Sequence, residues 1–170
     1  YSWSPPQAPT EKLPNQLYGR IDRNRILGRF GRLSFDVVEK VLIPEGITLQ
    51  LLPGTHLNIY PDVSIRVRGN LLIQGEKDNL VYLTGDMAAP WGNLIFENQG
   101  TLTSSGDAET LSTPPNVKDE NSLLSYCVVE NGLGIIMEGT GARIEDSTIR
   151  QNYGSGIKVH NAGVTIARCR

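Results

Sequence analysis

Between residues 37 and 97 apolar and polar residues alternate in short runs, each closed by Gly, Pro, Asn or Asp. Val41-Leu-Ile43 ends at Pro44-Glu-Gly46, Ile47-Thr-Leu49-Gln-Leu51 at Pro53-Gly54, and Leu57-Asn-Ile59 at Tyr60-Pro-Asp62. Val63-Ser-Ile65-Arg-Val67 precedes Gly69-Asn70, and Leu71-Leu-Ile73 precedes Gly75. Val81-Tyr-Leu83 and Trp91-Gly-Asn-Leu94-Ile-Phe96 follow. A period of two sends one set of side chains to a core and leaves the other in solvent, here Thr48, Gln50, Ser64, Arg66 and Arg68.

Further on the same text becomes a repeat. Leu124-Ser-Tyr-Cys127-Val-Val129-Glu-Asn131 leads to Gly134-Ile135-Ile-Met137, and Ile144-Glu-Asp-Ser147-Thr-Ile149-Arg-Gln-Asn152 leads to Gly156-Ile157-Lys-Val159. Ile166-Ala-Arg-Cys169 opens a third cycle. A period of about 22 residues suits one coil of a parallel β-solenoid, whose inner face stays wet until another coil stacks on it. The pattern predicts an all-β solenoid of about 6–7 coils over residues 37–170, cut short at its C-terminal end as in a piece of a larger protein. Residues 17–36 are expected to cap the first coil, and the Pro-rich residues 1–16 to form an extended linker. Between 99 and 121 the alternation is lost in a long polar stretch. This predicts an inserted loop with Asp107, Glu109, Asp119 and Glu120 as candidate interaction residues.

Composition narrows the field. Hydrophobic residues make up 39 % and charged residues 20 %, as in a globular domain. A net charge of -2 argues against nucleic-acid or anionic-membrane partners. No run approaches the ~18 apolar residues of a membrane span. Cys127 and Cys169 share one repeat position with Ser147, two coils apart, or roughly 9–10 Å at ~4.8 Å per coil. That exceeds disulfide reach, so two free inward thiols in a Cys127–Ser147–Cys169 core ladder are expected. Asn131 and Asn152 are expected to form a second ladder at a shared turn.

These runs resemble the right-handed parallel β-helix proteins, the superfamily that includes pectate lyases, over about residues 35–170. The carrying text is Ile47 to Gly75, with its Pro-Gly coil, and Trp91-Gly92-Asn93-Leu94-Ile95-Phe96, where Asn93 stands in place of a usual Gly. An Asn there is tolerable because Asn accepts positive φ. The order of a Pro-Gly coil, a Trp coil, Ser122-Leu-Leu-Ser-Tyr126 and Asn-Gly repeats resembles the β-helix segments of the bark beetle (Anakonda) family of animal epithelial tricellular-junction proteins. The resemblance implies an extracellular or cell-surface module of a larger protein.

Enzymes of this fold gather carboxylates on neighbouring outward positions, with Ca²⁺ in the lyases. Here alternation puts Thr48, Gln50, Arg66, Arg68 and Gln74 at outward strand positions, with almost no acid among them. Glu145 and Asp146 are sequence neighbours, which a regular strand points to opposite faces. His56 and His160 are too few for a zinc site. No catalytic residue, metal or cofactor is therefore assigned. Arg66, Arg68 and Tyr82 are expected to line a partner or glycan face, through bidentate arginine contacts to carboxylate or sulfate. Gly28-Arg-Phe-Gly31 is too short for a phosphate-binding loop. The expected function is a non-enzymatic structural or adhesion module, possessing a protein or glycan partner at the cell surface and able to self-associate through its terminal coil. The alternative is a secreted glycan-binding or polysaccharide-active β-helix.

Overall fold

A computed structural model describes residues 15–98 and 122–170. The expected 99–121 loop with Asp107, Glu109, Asp119 and Glu120, and nearly all of the 1–16 linker, lie outside the described residues. The described chain is all-β, a parallel solenoid of about six turns.

The first coil holds β1 (Gln16–Arg20) and β2 (Arg25–Leu27), and the second β3 (Ser34–Ile43) and β4 (Thr48–Leu51). The third holds β5 (His56–Ile59), β6 (Ile65–Val67) and β7 (Asn70–Gln74), and the fourth β8 (Val81–Gly85), β9 (Asn93–Glu97) and β10 (Leu123–Ser125). The fifth holds β11 (Cys127–Glu130), β12 (Gly134–Glu138) and β13 (Arg143–Glu145), and the sixth β14 (Thr148–Arg150), β15 (Ile157–His160) and β16 (Thr165–Ala167).

Three parallel ladders climb through these coils. The ten-residue β3 belongs to two of them, pairing β5 through Ser34–Val37 and β6 through Val41–Ile43. The first ladder continues β5-β8-β11-β14, the second β6-β9-β12-β15, and the third runs β2-β4-β7-β10-β13-β16. Parallel register stacks equivalent residues, so inward apolar positions form columns. Phe35 lies over Leu57 and Leu57 over Leu83, and Leu94 lies between Ile65 and Ile135. These residues are almost fully buried. Burying one such side chain stabilises the fold by about 1.5–3 kcal/mol, and each depends on the coils on either side.

In the segment expected to cap the first coil, β1 pairs with β3 and β2 with β4. Gly19 has φ +68°, and the pairing register shifts between Leu17 and Gly19, so the apolar alternation is broken there. Asn93 does not need a left-handed backbone: it is an ordinary residue of β9, and its N–H donates to Ser64 Oγ at 3.0 Å.

Corners between ladders use left-handed residues. Tyr126, Asp146 and Arg168 (φ +50°, +47° and +52°) turn the third ladder into the first, while Asn131 and Gln151 (φ +61° and +52°) turn the first into the second. Trp91, fully buried, fills one corner and donates through Nε1 to the Glu130 carbonyl at 2.8 Å. A Cβ on Gly132 would lie 2.5 Å from its indole, so that glycine makes the space.

Candidate functional site

Arg66 and Arg68 project from the same side of the third coil, as alternation requires. Both meet Glu97, at the end of β9 on the next coil. Arg66 Nη1 donates to Glu97 Oε2 and Arg68 Nε to Glu97 Oε1, each at 2.9 Å. One carboxylate therefore occupies two guanidinium groups that were expected to face a ligand. A cleft of about 360 Å³ lies beside Arg68, lined among others by Glu45, Asn70, Phe96, Ser122 and Thr140.

Tyr82 is elsewhere. It lies on β8 in the first ladder, stacked on His56 with ring centroids 4.5 Å apart and planes 16° from parallel. Arg66 lies on β6 in the second ladder. Of the three residues expected to line one face, Tyr82 therefore lies on a different ladder from Arg66. Its neighbours on that ladder are Asp36–Asn58 and Thr84–Glu130–Arg150, linked by side-chain hydrogen bonds.

The outward positions are richer in acids than alternation from the first strands suggested. Glu97, Glu130, Glu138 and Glu145 stand at strand ends. Arginines answer three of them. Besides the Glu97 pair, Arg150 Nε donates to Glu130 at 2.8 Å, and Glu145 pairs with Arg143. Glu145 and Asp146 do not diverge as a regular strand would make them. The left-handed Asp146 bends the chain, and both carboxylates reach Arg168, Asp146 through two hydrogen bonds of 2.6 and 2.9 Å and Glu145 at 3.8 Å. The Arg168 guanidinium holds the Asp146 carboxyl below the usual carboxylate range. Among the described residues no three His, Cys, Asp or Glu side chains are grouped to hold a metal ion.

Inside, Cys127, Ser147 and Cys169 follow one another at one corner, and both cysteines are free. Ser147 Oγ accepts from the Cys127 amide at 3.2 Å and lies 3.4 Å from its sulfur. Cys169 Sγ contacts the Ala167 carbonyl at 3.2 Å. Burial pushes the Cys127 thiol up to about 12, opposed by the Ser147 hydrogen bond. A thiol so held is neutral and a poor nucleophile.

Asn131 and Asn152 are one position out of register, because Asn131 aligns with Gln151. They do not form the single ladder expected, though each braces the preceding coil. Asn131 Nδ2 donates to Thr84 Oγ1 and the Gly85 carbonyl, both at 3.3 Å. Asn152 accepts from the Gly132 amide at 3.1 Å and donates to the Val129 carbonyl at 3.2 Å.

A feature not expected from sequence lies in the first coil. Arg29 to Arg32 form a tight turn closed by an Arg32 N–H bond to the Arg29 carbonyl at 3.2 Å. Both central residues are left-handed, Phe30 at φ +57° and Gly31 at φ +73°. For a residue with a β-carbon that backbone costs roughly 1 kcal/mol. Phe30 is 99 % exposed. Beside it a second cleft of about 360 Å³ is lined by Arg25, Arg29, Arg32, Ile26, Leu27 and Phe35. The short Gly-Arg-Phe-Gly text was its only sequence signal, and alternation has no means of reading it.

The fold and this wall of paired charges define a class, a parallel β-helix repeat module. No family model, curated protein or solved structure matches the chain.

Proposed function

We propose that the chain is a non-enzymatic structural and adhesion module of an extracellular or cell-surface protein. The bark beetle family of epithelial junctions is the finer form of this reading. The observation that carries it is the mutual neutralisation of outward charge: Arg66 and Arg68 with Glu97, Arg150 with Glu130, and Arg168 with Asp146. Groups held this way brace a rod from coil to coil, whereas an acid–base pair or cation site needs carboxylates turned to a substrate. The second reading, a glycan or polysaccharide site at Arg66, Arg68 and Tyr82, has less support, because Glu97 occupies the arginines and Tyr82 lies on another ladder. Self-association belongs to the leading reading, and Val159 of β15 and Ile166 of β16, 43 % and 49 % exposed, are apolar surface it would use.

Beads coated with the chain test this reading directly. They should cluster, or bind epithelial cell surfaces, and the chain should leave polygalacturonate intact with and without Ca²⁺. Unclustered beads that also fail to bind cells would count against adhesion. Ca²⁺-dependent cleavage lost in Glu97→Gln or Glu138→Gln would replace the reading with an enzyme.

A further inference from the structure

The first coil concentrates positive charge without a matching acid. Arg20, Arg23, Arg25, Arg29 and Arg32 fall within residues 20–32, where Asp22 is the only acid. Asp22 lies 4.0 Å from Arg23. Among the described residues no carboxylate pairs with Arg25, Arg29 or Arg32. Arg25 is also unusual in direction. It pairs in register with Leu49, a core position, yet it remains partly exposed at the mouth of the coil. Three guanidinium groups thus surround a cleft whose other walls are apolar, with Leu27 and Phe35 buried and Ile26 37 % exposed.

The rim is built in place. A Cβ on Gly28 would lie 2.3 Å from Thr55 Oγ1, so only glycine lets the segment run so close to the next coil, and its φ of +98° suits glycine as well. Past the turn, the His56 N–H donates to the Leu33 carbonyl at 2.7 Å. The Phe30 turn is therefore tethered at both ends, and a tethered aromatic loses little freedom on binding.

We propose that this patch docks an acidic protein segment carrying an apolar side chain. The apolar side chain enters the cleft or packs on Phe30, and flanking carboxylates take Arg25, Arg29 and Arg32. Charge complementarity fixes the sign of the occupant, and the apolar walls favour a peptide over a uniformly polar polyanion. Aromatic and arginine side chains are the groups that dominate protein interfaces.

The test is to pan a random decapeptide display library on the intact chain and to measure the selected peptides by fluorescence anisotropy. Enriched peptides should combine at least one apolar residue with neighbouring Asp or Glu. Their affinity should fall about tenfold or more in Arg29→Ser/Arg32→Ser and in Phe30→Gly, and should weaken as salt screens the charges. Phe30→Gly relieves the left-handed backbone, so its loss of binding cannot be attributed to unfolding, which thermal melting checks. Arg66→Ser/Arg68→Ser should leave affinity unchanged. Peptides that bind all variants alike, enrichment without acids, no enrichment, or a heparin fragment binding the patch as tightly as the best peptide would each overturn the proposal. None of these results depends on whether coated beads cluster, so the two readings fail separately.

Discussion

Arginines of the upper coils and arginines of the first coil stand on the same fold in opposite situations. From the third coil upward Arg66, Arg68, Arg143, Arg150 and Arg168 each meet a carboxylate. In the first coil Arg25, Arg29 and Arg32 meet none among the described residues, and they surround apolar surface. Parallel stacking explains the first situation. A coil with neighbours on both sides brings its strand ends against theirs, as when Glu130 aligns with Arg150, so opposite charges there link coils. Exposed pairs of this kind contribute little to stability, and they serve register more. Arginines left without such partners keep their donors for something outside the coil.

Two aromatic residues give the largest contrast. Trp91→Ala should destabilise the chain by about 3–5 kcal/mol, because it empties a corner shaped around the indole by Gly132. Phe30→Gly should leave stability unchanged or raise it by about 1 kcal/mol, since an exposed ring and a strained backbone are removed together. Urea unfolding of both variants checks this. Equal losses would mean that the Phe30 turn is part of the packed structure after all.

The same contrast shows what sequence could and could not reveal. The strands between Val37 and Phe96 are legible because alternation survives there, and the coils after Leu124 because a spacing of 20 to 22 residues is added to it. The Cys127–Ser147 contact follows from that spacing. The partnership of Arg66 and Arg68 with Glu97 is not legible, since the partners lie 31 and 29 residues apart. The extra residues fall in two turns, between Gln74 and Val81 and between Gly85 and Asn93, so the repeat offers no register across them. Glu145 and Asp146 mislead because one left-handed residue cancels the alternation. The first coil is hidden by the Gly19 irregularity and by an arginine in a core position opposite Leu49.

The interior of the upper coils makes a second prediction. The folded state raises the Cys127 thiol from 9.0 to about 12, so it keeps its proton where an unfolded thiol loses it. The stability this provides is complete below pH 9.0 and declines as pH climbs from there towards about 12. Denaturant titrations of the wild type and Cys127→Ala should converge over that window. At pH 8 a thiol reagent should modify the partly exposed Cys169 well before the buried Cys127. Equal labelling rates would show that the coils open readily at this corner.

Glu97→Gln tests the paired arginines at smaller scale. It leaves Arg66 and Arg68 side by side without a counter-charge, and should cost about 1 kcal/mol at low salt. The loss should shrink in about 1 M salt, where screening acts over roughly 3 Å. Arg29→Ser, which breaks no described ion pair, should change stability by less than about 0.5 kcal/mol. A larger loss from Arg29→Ser than from Glu97→Gln would reverse the comparison.

The smallest effect concerns Asp146, whose partly buried carboxyl is held below the usual range by Arg168. A depressed folded value means that the carboxylate contributes stability above the ordinary value of 3.8 and loses it as pH falls through the folded one. Asp146→Asn keeps a residue suited to the left-handed backbone at φ +47°, and removes the charge together with one of the two acceptors facing Arg168. Wild type and variant should therefore differ near neutral pH and become alike in strong acid. A difference that persists after the carboxyl is protonated would show that Arg168 is held there by something other than the Asp146 charge, and the ladder of paired charges would lose its uppermost link.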